Sequence, residues 1–282
     1  MRSVIVVGDG AVGTAVAVAL SSDSEVILAG PPETVPCRRE FTTKGSFCRS
    51  AEIFHTAIDR VQTSGLVIVA LKARDIKGAV HHIRAFSSGE MICLSNGMGL
   101  SEEWGELENK VEYAVLSLGF RKTGQSTVLT ADGSIFCRSS GLVSQVFRNS
   151  GFPLRKVVNI QKFRWAKWYA NSVINPIAAL AGLKNNELIP AGLQSLINAL
   201  SLEISECMPS SGSIVEGQRI LDWLLEYSSN RCSMLQDMER GRPTEIDFLT
   251  GLCIKRLQDK CPTATILVSL VKARTLQSDQ LT

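Results

Sequence analysis

Two groups of residues have the types and spacing to do chemistry. In the first, the apolar run Val4-Ile5-Val6-Val7 feeds into Gly8, Gly10 and Gly13, with Asp9, Ala11 and Val12 between them. A strand that opens a helix through G-x-G-x-x-G suits a nucleotide pyrophosphate. The first glycine permits the tight turn, the second lets the backbone approach phosphate, and the third lets the helix pack on the strand. The helix N-terminus adds donors and the positive end of its dipole. Asp9 sets a carboxylate inside this anion cradle. Only the backbone needs to face the phosphates, so the Asp9 side chain is expected to point away and to make no contact with pyrophosphate oxygen.

The second group lies in "RWAKWYANSVINPIAA", residues 164–179. Lys167, Asn171 and Asn175 follow one another at four-residue steps and share one helix face. Ala166, Ala170, Val173 and Ile177 lie roughly opposite and suit a core. Asparagine is a poor helix former, so two in mid-helix need a reason. Flanked by Trp165, Trp168 and Tyr169, they fit a polar stripe facing a cleft. Pro176 is expected to bend this helix or end its regular hydrogen bonding.

Further polar residues stand at element ends. Lys72 closes "LVIVALK" and Asn96 closes "MICLSN", beyond strand ends where open α/β sheets bind ligands. A solvated charge and an Asn-Gly turn explain them equally well. Ser233 reads as an ordinary helix residue. Glu245 reads as a first-turn acid in a helix that Thr244 and Asp247 start as a capping box, after Gly241 and Pro243 end the helix before it. The histidines, His55, His81 and His82, fall outside these motifs and read as surface or packing residues.

Positioning these groups requires two architectures. Strand-like runs at Val4–Val7, Glu25–Ala29, Leu66–Leu71, Met91–Leu94, Tyr113–Leu118 and 133–138 alternate with helical stretches at Ala11–Leu20 and Lys77–Phe86. That order predicts an α/β fold with an N-terminal Rossmann-type doubly wound parallel sheet. From Phe163 onward the pattern is helical throughout: Arg164–Leu183, Ala191–Met208, Ser213–Tyr227, Arg231–Arg240, Thr244–Gln258 and Ile266–Thr275. The expected division is 1–158, a dinucleotide-binding Rossmann domain, and 159–282, an all-helical substrate and catalytic domain. At the second strand's end, Ala29 and Gly30 supply none of the acid that holds ribose hydroxyls in NAD sites. This favours NADPH, with NADH open; Arg38 and Arg39 of the following loop read equally as ligands of its extra phosphate and as a solvated loop pair.

Bulk properties exclude several classes. With 30 basic and 27 acidic residues in 282, the net charge of +3 makes no case for nucleic acid or an anionic membrane as partner. The eight cysteines form no C-x-x-C pair and read as small core residues of a reducing compartment. The first residues lack the pattern of a signal peptide, and no apolar run approaches the roughly 20 residues of a membrane span. A cytoplasmic protein is expected.

"SNGMG" at 95–99, "KWYANSVINP" at 167–176 and "SMLQDMERGRPTEID" at 233–247 resemble the signature segments of ketopantoate reductases, in the right order behind the glycine loop. The resemblance implies NADPH-dependent reduction of 2-dehydropantoate to pantoate, on the route to coenzyme A, in a cleft between a Rossmann and a helical domain. It implies Lys167 as the catalytic lysine and Glu245 as a catalytic acidic residue, which either orients Lys167 or takes a substrate hydroxyl. It implies Asn171, Asn175 and Ser233 as substrate-binding residues, and it matches Lys72 and Asn96 to the family's strand-end lysine and asparagine. The implied partners are a small 2-oxo acid, neither nucleic acid nor membrane, no metal, and, as an open alternative, a second copy in a homodimer.

The chain also departs from the family. Pro31 stands where an arginine for the NADPH phosphate is usual, residues 117–133 match only loosely, and Thr265 replaces an asparagine. Another 2-oxo acid therefore remains an alternative substrate. A hydroxyacid dehydrogenase with a histidine acid is disfavoured, since no histidine lies in the helical half. A sensor that binds cofactor without turnover would have no need of Lys167.

Overall fold

A computed structural model of the chain describes residues 2–279. β1 (Arg2–Val7) passes through the glycine loop into α1 (Ala11–Leu20) and β2 (Ser24–Gly30). β3 (Cys37–Lys44) and β4 (Arg49–Ala57) form an antiparallel hairpin. β5 (Gly65–Val69), α2 (Ile76–Phe86), β6 (Ser87–Cys93), α3 (Ser101–Trp104) and β7 (Val111–Tyr113) follow. Next come β8 (Val115–Leu116), β9 (Gly119–Thr123), β10 (Ser126–Ala131), β11 (Ile135–Arg138), α4 (Leu142–Val146) and β12 (Leu154–Val157). Beyond them the described residues form helices only: α5 (Ile160–Ala181), α6 (Gln194–Glu206), α7 (Ser211–Tyr227), α8 (Ser233–Glu239), α9 (Thr250–Leu257) and α10 (Pro262–Asp279), with short 3-10 turns. None of these helices is long and apolar enough to cross a membrane.

The chain divides into two compact units. One holds Met1–Ser95 and Ser101–Ile160; the other holds Asn96–Leu100 and Gln161–Thr282. The fold is the expected α/β sheet with an added helical part. In the first unit the main sheet runs β7-β6-β5-β1-β2-β4-β3-β10-β9. The six strands from β7 to β4 are mutually parallel. The β3–β4 hairpin then reverses direction, and β10 and β9 extend the edge. The run expected at Tyr113–Leu118 splits, with β7 in the main sheet and β8 in a small second sheet beside β11 and β12.

β1 is covered on both faces, as its unbroken β-branched run requires. Val4 and Val6 join Ile68, Ile92 and the small side chains of α1 in one core cluster. The alternate residues Ile5 and Val7 are just as buried but lie outside that cluster. β5 and β2 flank β1, so the glycine loop emerges between the ends of these two neighbours.

The sequence expectations for Arg38 and Arg39 and for the helix at Thr244 are corrected. Arg38 and Arg39 lie on β3, not in a loop; Arg38 is exposed and Arg39 Nε donates to Cys37 Sγ at 2.8 Å. α5 runs through Pro176, as the helical pattern to Leu183 predicts, and its regular hydrogen bonding is interrupted there. Pro176 withholds the N–H that would serve the Ser172 carbonyl, and the buried Thr250 Oγ1 donates to that oxygen instead, at 2.7 Å.

The helix expected over Thr244–Gln258 is two pieces, a 3-10 turn Ile246–Phe248 and then α9. The Phe248 carbonyl accepts from Trp168 Nε1 at 3.1 Å and from the Met98 amide at 3.2 Å. The Leu252 amide, which a continuous helix would direct to it, bonds the Leu249 carbonyl. Glu245 caps the 3-10 turn with no side-chain hydrogen bond to its amides, and Asp247 pairs with Lys272 at 2.7 Å instead of closing a capping box.

Candidate active site

The glycine loop meets each requirement of a phosphate cradle. Gly8 has φ +106°, a left-handed conformation, and a Cβ there would stand 2.8 Å from the Ala70 carbonyl oxygen. A Cβ at Gly13 would collide with the Gly8 carbonyl oxygen, so helix and loop pack at backbone distance. Gly10 is different: a Cβ there meets nothing within 4 Å, which leaves its backbone open on the outer side. It caps α1 without a side-chain hydrogen bond, and the amides of Ala11, Val12 and Gly13 begin the helix with no intrahelical acceptor. Open backbone, first-turn amides without intrahelical acceptors and a positive dipole end fit a dinucleotide pyrophosphate.

Asp9 turns toward the end of β2. Its Oδ2 lies 3.2 Å from His55 Nε2 on β4 and 3.8 Å from Lys122 Nζ on β9. Its carbonyl accepts from Thr14 Oγ1 at 3.1 Å and from the Lys122 ammonium. His55 against the carboxylate, helped by Lys122, holds Asp9 below the usual carboxylate range although burial works the other way. Sequence reasoning passed over both basic partners. His55 is buried, edge-on to Phe41 at 5.6 Å, and touches the glycine loop. The trace it leaves in the sequence is the inward alternation of Ile53, His55 and Ala57 along β4.

Lys72 and Asn96 stand beyond the ends of the neighbouring strands β5 and β6. Lys72 is half-buried and begins a 3-10 turn at Ala73. Ser95 Oγ donates to the Leu71 carbonyl at 2.7 Å and ties the two strand-end loops together. Asn96 begins the segment that groups with the helical unit.

In that unit three elements bring Asn96, Lys167 and Glu245 together. Lys167 projects from α5 and its Nζ donates to Asn96 Oδ1 at 2.7 Å. The Met98 amide fixes the Asn96 segment to the Phe248 carbonyl, and Trp168, beside Lys167 on α5, donates to the same oxygen. Glu245 is buried at the head of the same turn. Burial lowers the Lys167 pKa from 10.5 to about 8, and the Glu245 carboxylate acts the other way. An ammonium with a fixed rotamer and a near-neutral pKa is suited to proton donation.

Asn171 and Asn175 stand one and two turns further along α5, half-buried and buried. Among the described residues no protein group hydrogen-bonds either side-chain amide. The Asn175 carbonyl receives Cys232 Sγ at 3.6 Å, and this anchors the start of α8 to α5. Ser233 is the first residue of α8 and is exposed.

Comparison with known proteins agrees with this architecture. Residues 4–138 match the family model "Ketopantoate reductase PanE/ApbA", and residues 159–275 match its C-terminal counterpart. The chain belongs to the ketopantoate reductase family. It is 26% identical to the 2-dehydropantoate 2-reductase of Archaeoglobus fulgidus, over 96% of this chain and 97% of that one. The crystal structure of a PanE/ApbA family ketopantoate reductase from Ralstonia eutropha shares the fold, with TM-score 0.82, 22% identity, and coverage of 98% and 99%. So does D-mandelate dehydrogenase in a ternary structure with NADH and anilino(oxo)acetate, with TM-score 0.81, 19% identity, and coverage of 98% and 99%. Within the family, then, the chain is an oxidoreductase with a Rossmann-like domain, and the family binds a nicotinamide cofactor.

Proposed function

We propose that the chain reduces the 2-oxo group of 2-dehydropantoate to (R)-pantoate, with NADPH as the cofactor that the family resemblance implies. The observation that carries this reading is the Lys167–Asn96 hydrogen bond of 2.7 Å beside buried Glu245. The backbone of Gly8, Gly10, Ala11, Val12 and Gly13 would hold the cofactor's pyrophosphate, with Lys72 and Asn96 at the adjoining strand ends. When bound, a reduced nicotinamide supplies hydride and no proton.

The remaining work falls to this chain's side chains. Negative charge develops on the ketone oxygen, and the Lys167 ammonium stabilises it and donates the proton. Asn96 Oδ1 holds the ammonium in one rotamer. Glu245 keeps it charged against the cost of burial. Asn171 and Asn175 offer donors and acceptors to the substrate's hydroxyl and carboxylate, and Ser233 adds a hydroxyl.

A different 2-oxo acid is the second reading, favoured by the loose match of residues 117–133 and by Thr265. In the structure Thr265 is exposed and its hydroxyl donates to the carbonyl of Cys261, the residue just before its helix, at 2.9 Å. The test follows NADPH and NADH absorbance with a panel of 2-oxo acids, using native protein and Lys167→Ala. Oxidation with 2-dehydropantoate supports the proposal. Turnover confined to another 2-oxo acid transfers it to the second reading, and no turnover with any of them sinks both.

A further inference from the structure

Dinucleotide-binding sheets commonly place an acid at the end of the second strand, where its carboxylate accepts from the adenosine ribose hydroxyls. Here β2 ends on Gly30. The space a side chain at residue 30 would fill is nevertheless occupied. A Cβ built on Gly30 would stand 2.5 Å from Thr34 Oγ1, 2.9 Å from His55 Nε2 and 3.2 Å from Asp9 Oδ2. A carboxylate is therefore present at the strand end, delivered from the glycine loop and not from the strand.

Its setting suits recognition. The Asp9 side chain is 28% exposed, so ligand can reach it, while its partner His55 is 7% exposed and fixed by Phe41. The His55 contact and the Lys122 contact position the carboxylate without sealing it off. Arg39 Nε on β3 donates to Cys37, which pairs in register with His55.

We infer that Asp9 supplies the ribose-recognising carboxylate that Gly30 omits, and that it is a specificity-determining residue for the cofactor. Its charge accepts a hydrogen bond from a 2′-hydroxyl and opposes a 2′-phosphate, so it lowers the preference for NADPH over NADH. Lys122, 3.8 Å from the same Asp9 Oδ2, partly offsets that opposition. The inference rests on the reading that the loop binds a nicotinamide dinucleotide.

The test measures dissociation constants by calorimetry on the full chain, without substrate. Asp9→Asn and Asp9→Ser are each expected to raise the NADPH-over-NADH affinity ratio by about tenfold, the scale of one lost charge interaction near a surface. Native protein is expected to bind the 2′-deoxyadenosine analogue of NADH about tenfold more weakly than NADH, since one hydrogen bond to a charged acceptor is lost. This second measurement needs no variant to fold. An unchanged ratio in the variants, or equal binding of NADH and its deoxy analogue, overturns the role of Asp9 and leaves the dinucleotide site standing. Binding of neither cofactor by native protein overturns both.

Discussion

Gly97 and Phe248 meet at backbone distance. A Cβ built on Gly97 would stand 2.9 Å from the Phe248 Cβ and 3.0 Å from its carbonyl oxygen, and Gly97 holds φ +91°. This contact seats the Asn96 segment on the turn that carries Glu245, and so sets where Asn96 meets Lys167. Gly97→Ala adds a clash and a left-handed penalty at one position. It is expected to destabilise the protein by about 1–3 kcal/mol and to lower kcat more than it raises KM. Urea unfolding and steady-state kinetics check both; unchanged kcat would separate this contact from the placement of Asn96.

Much of this arrangement was legible in the sequence, and the limits have physical causes. The Val4–Val7 run, the glycine spacing and the period of α5 are local signals, so the parallel sheet, the cradle and the Lys167–Asn171–Asn175 face could be read directly. The β3–β4 hairpin could not. Its inward positions include Thr43 and His55 with few large apolar residues beyond Phe41 and Ile53, so hydrophobic alternation is weak. Placing Arg38 and Arg39 in a loop followed from that. The break before α9 was hidden because two distant donors, Trp168 and Met98, take the Phe248 carbonyl. The pairing of Asp9 with His55 spans 46 positions and leaves no local pattern.

Lys167→Ala removes the proposed proton donor. Loss of about 100- to 10,000-fold in kcat is expected, the usual worth of a positioned general acid. Lys167→Arg keeps the charge but holds its proton too tightly to deliver it and should recover little. Dissociation constants for cofactor should change less than threefold in both, by the logic of an interaction made chiefly in the transition state. A Lys167→Ala enzyme with near-native kcat would move the acid elsewhere.

The pH profile follows from the lowered Lys167 pKa. In the proposed mechanism the ammonium is the active form, so kcat/KM for reduction should be level below about pH 8 and fall about tenfold per unit above it. Glu245 raises this pKa, so Glu245→Gln should shift the falling limb to lower pH. The same group bears on folding. Because the folded pKa lies below the ordinary 10.5, the unfolded chain binds more protons between about pH 8 and 10.5, and stability from this group rises across that window. A limb that stays in place in Glu245→Gln would show that another group sets it.

Thr250 and Pro176 are coupled through the Ser172 carbonyl. Thr250→Val keeps the shape but removes the donor to a buried oxygen, at an expected cost of about 1–3 kcal/mol. Pro176→Ala restores a backbone N–H four residues beyond Ser172 and gives that oxygen a helical donor. In the Pro176→Ala background the cost of Thr250→Val should therefore fall to roughly half or less, a non-additivity expected of residues that share one partner. Denaturant midpoints for the four members of this cycle decide the matter: strictly additive losses would mean that Thr250 stabilises the fold through its packing and not by serving the carbonyl that the proline leaves open.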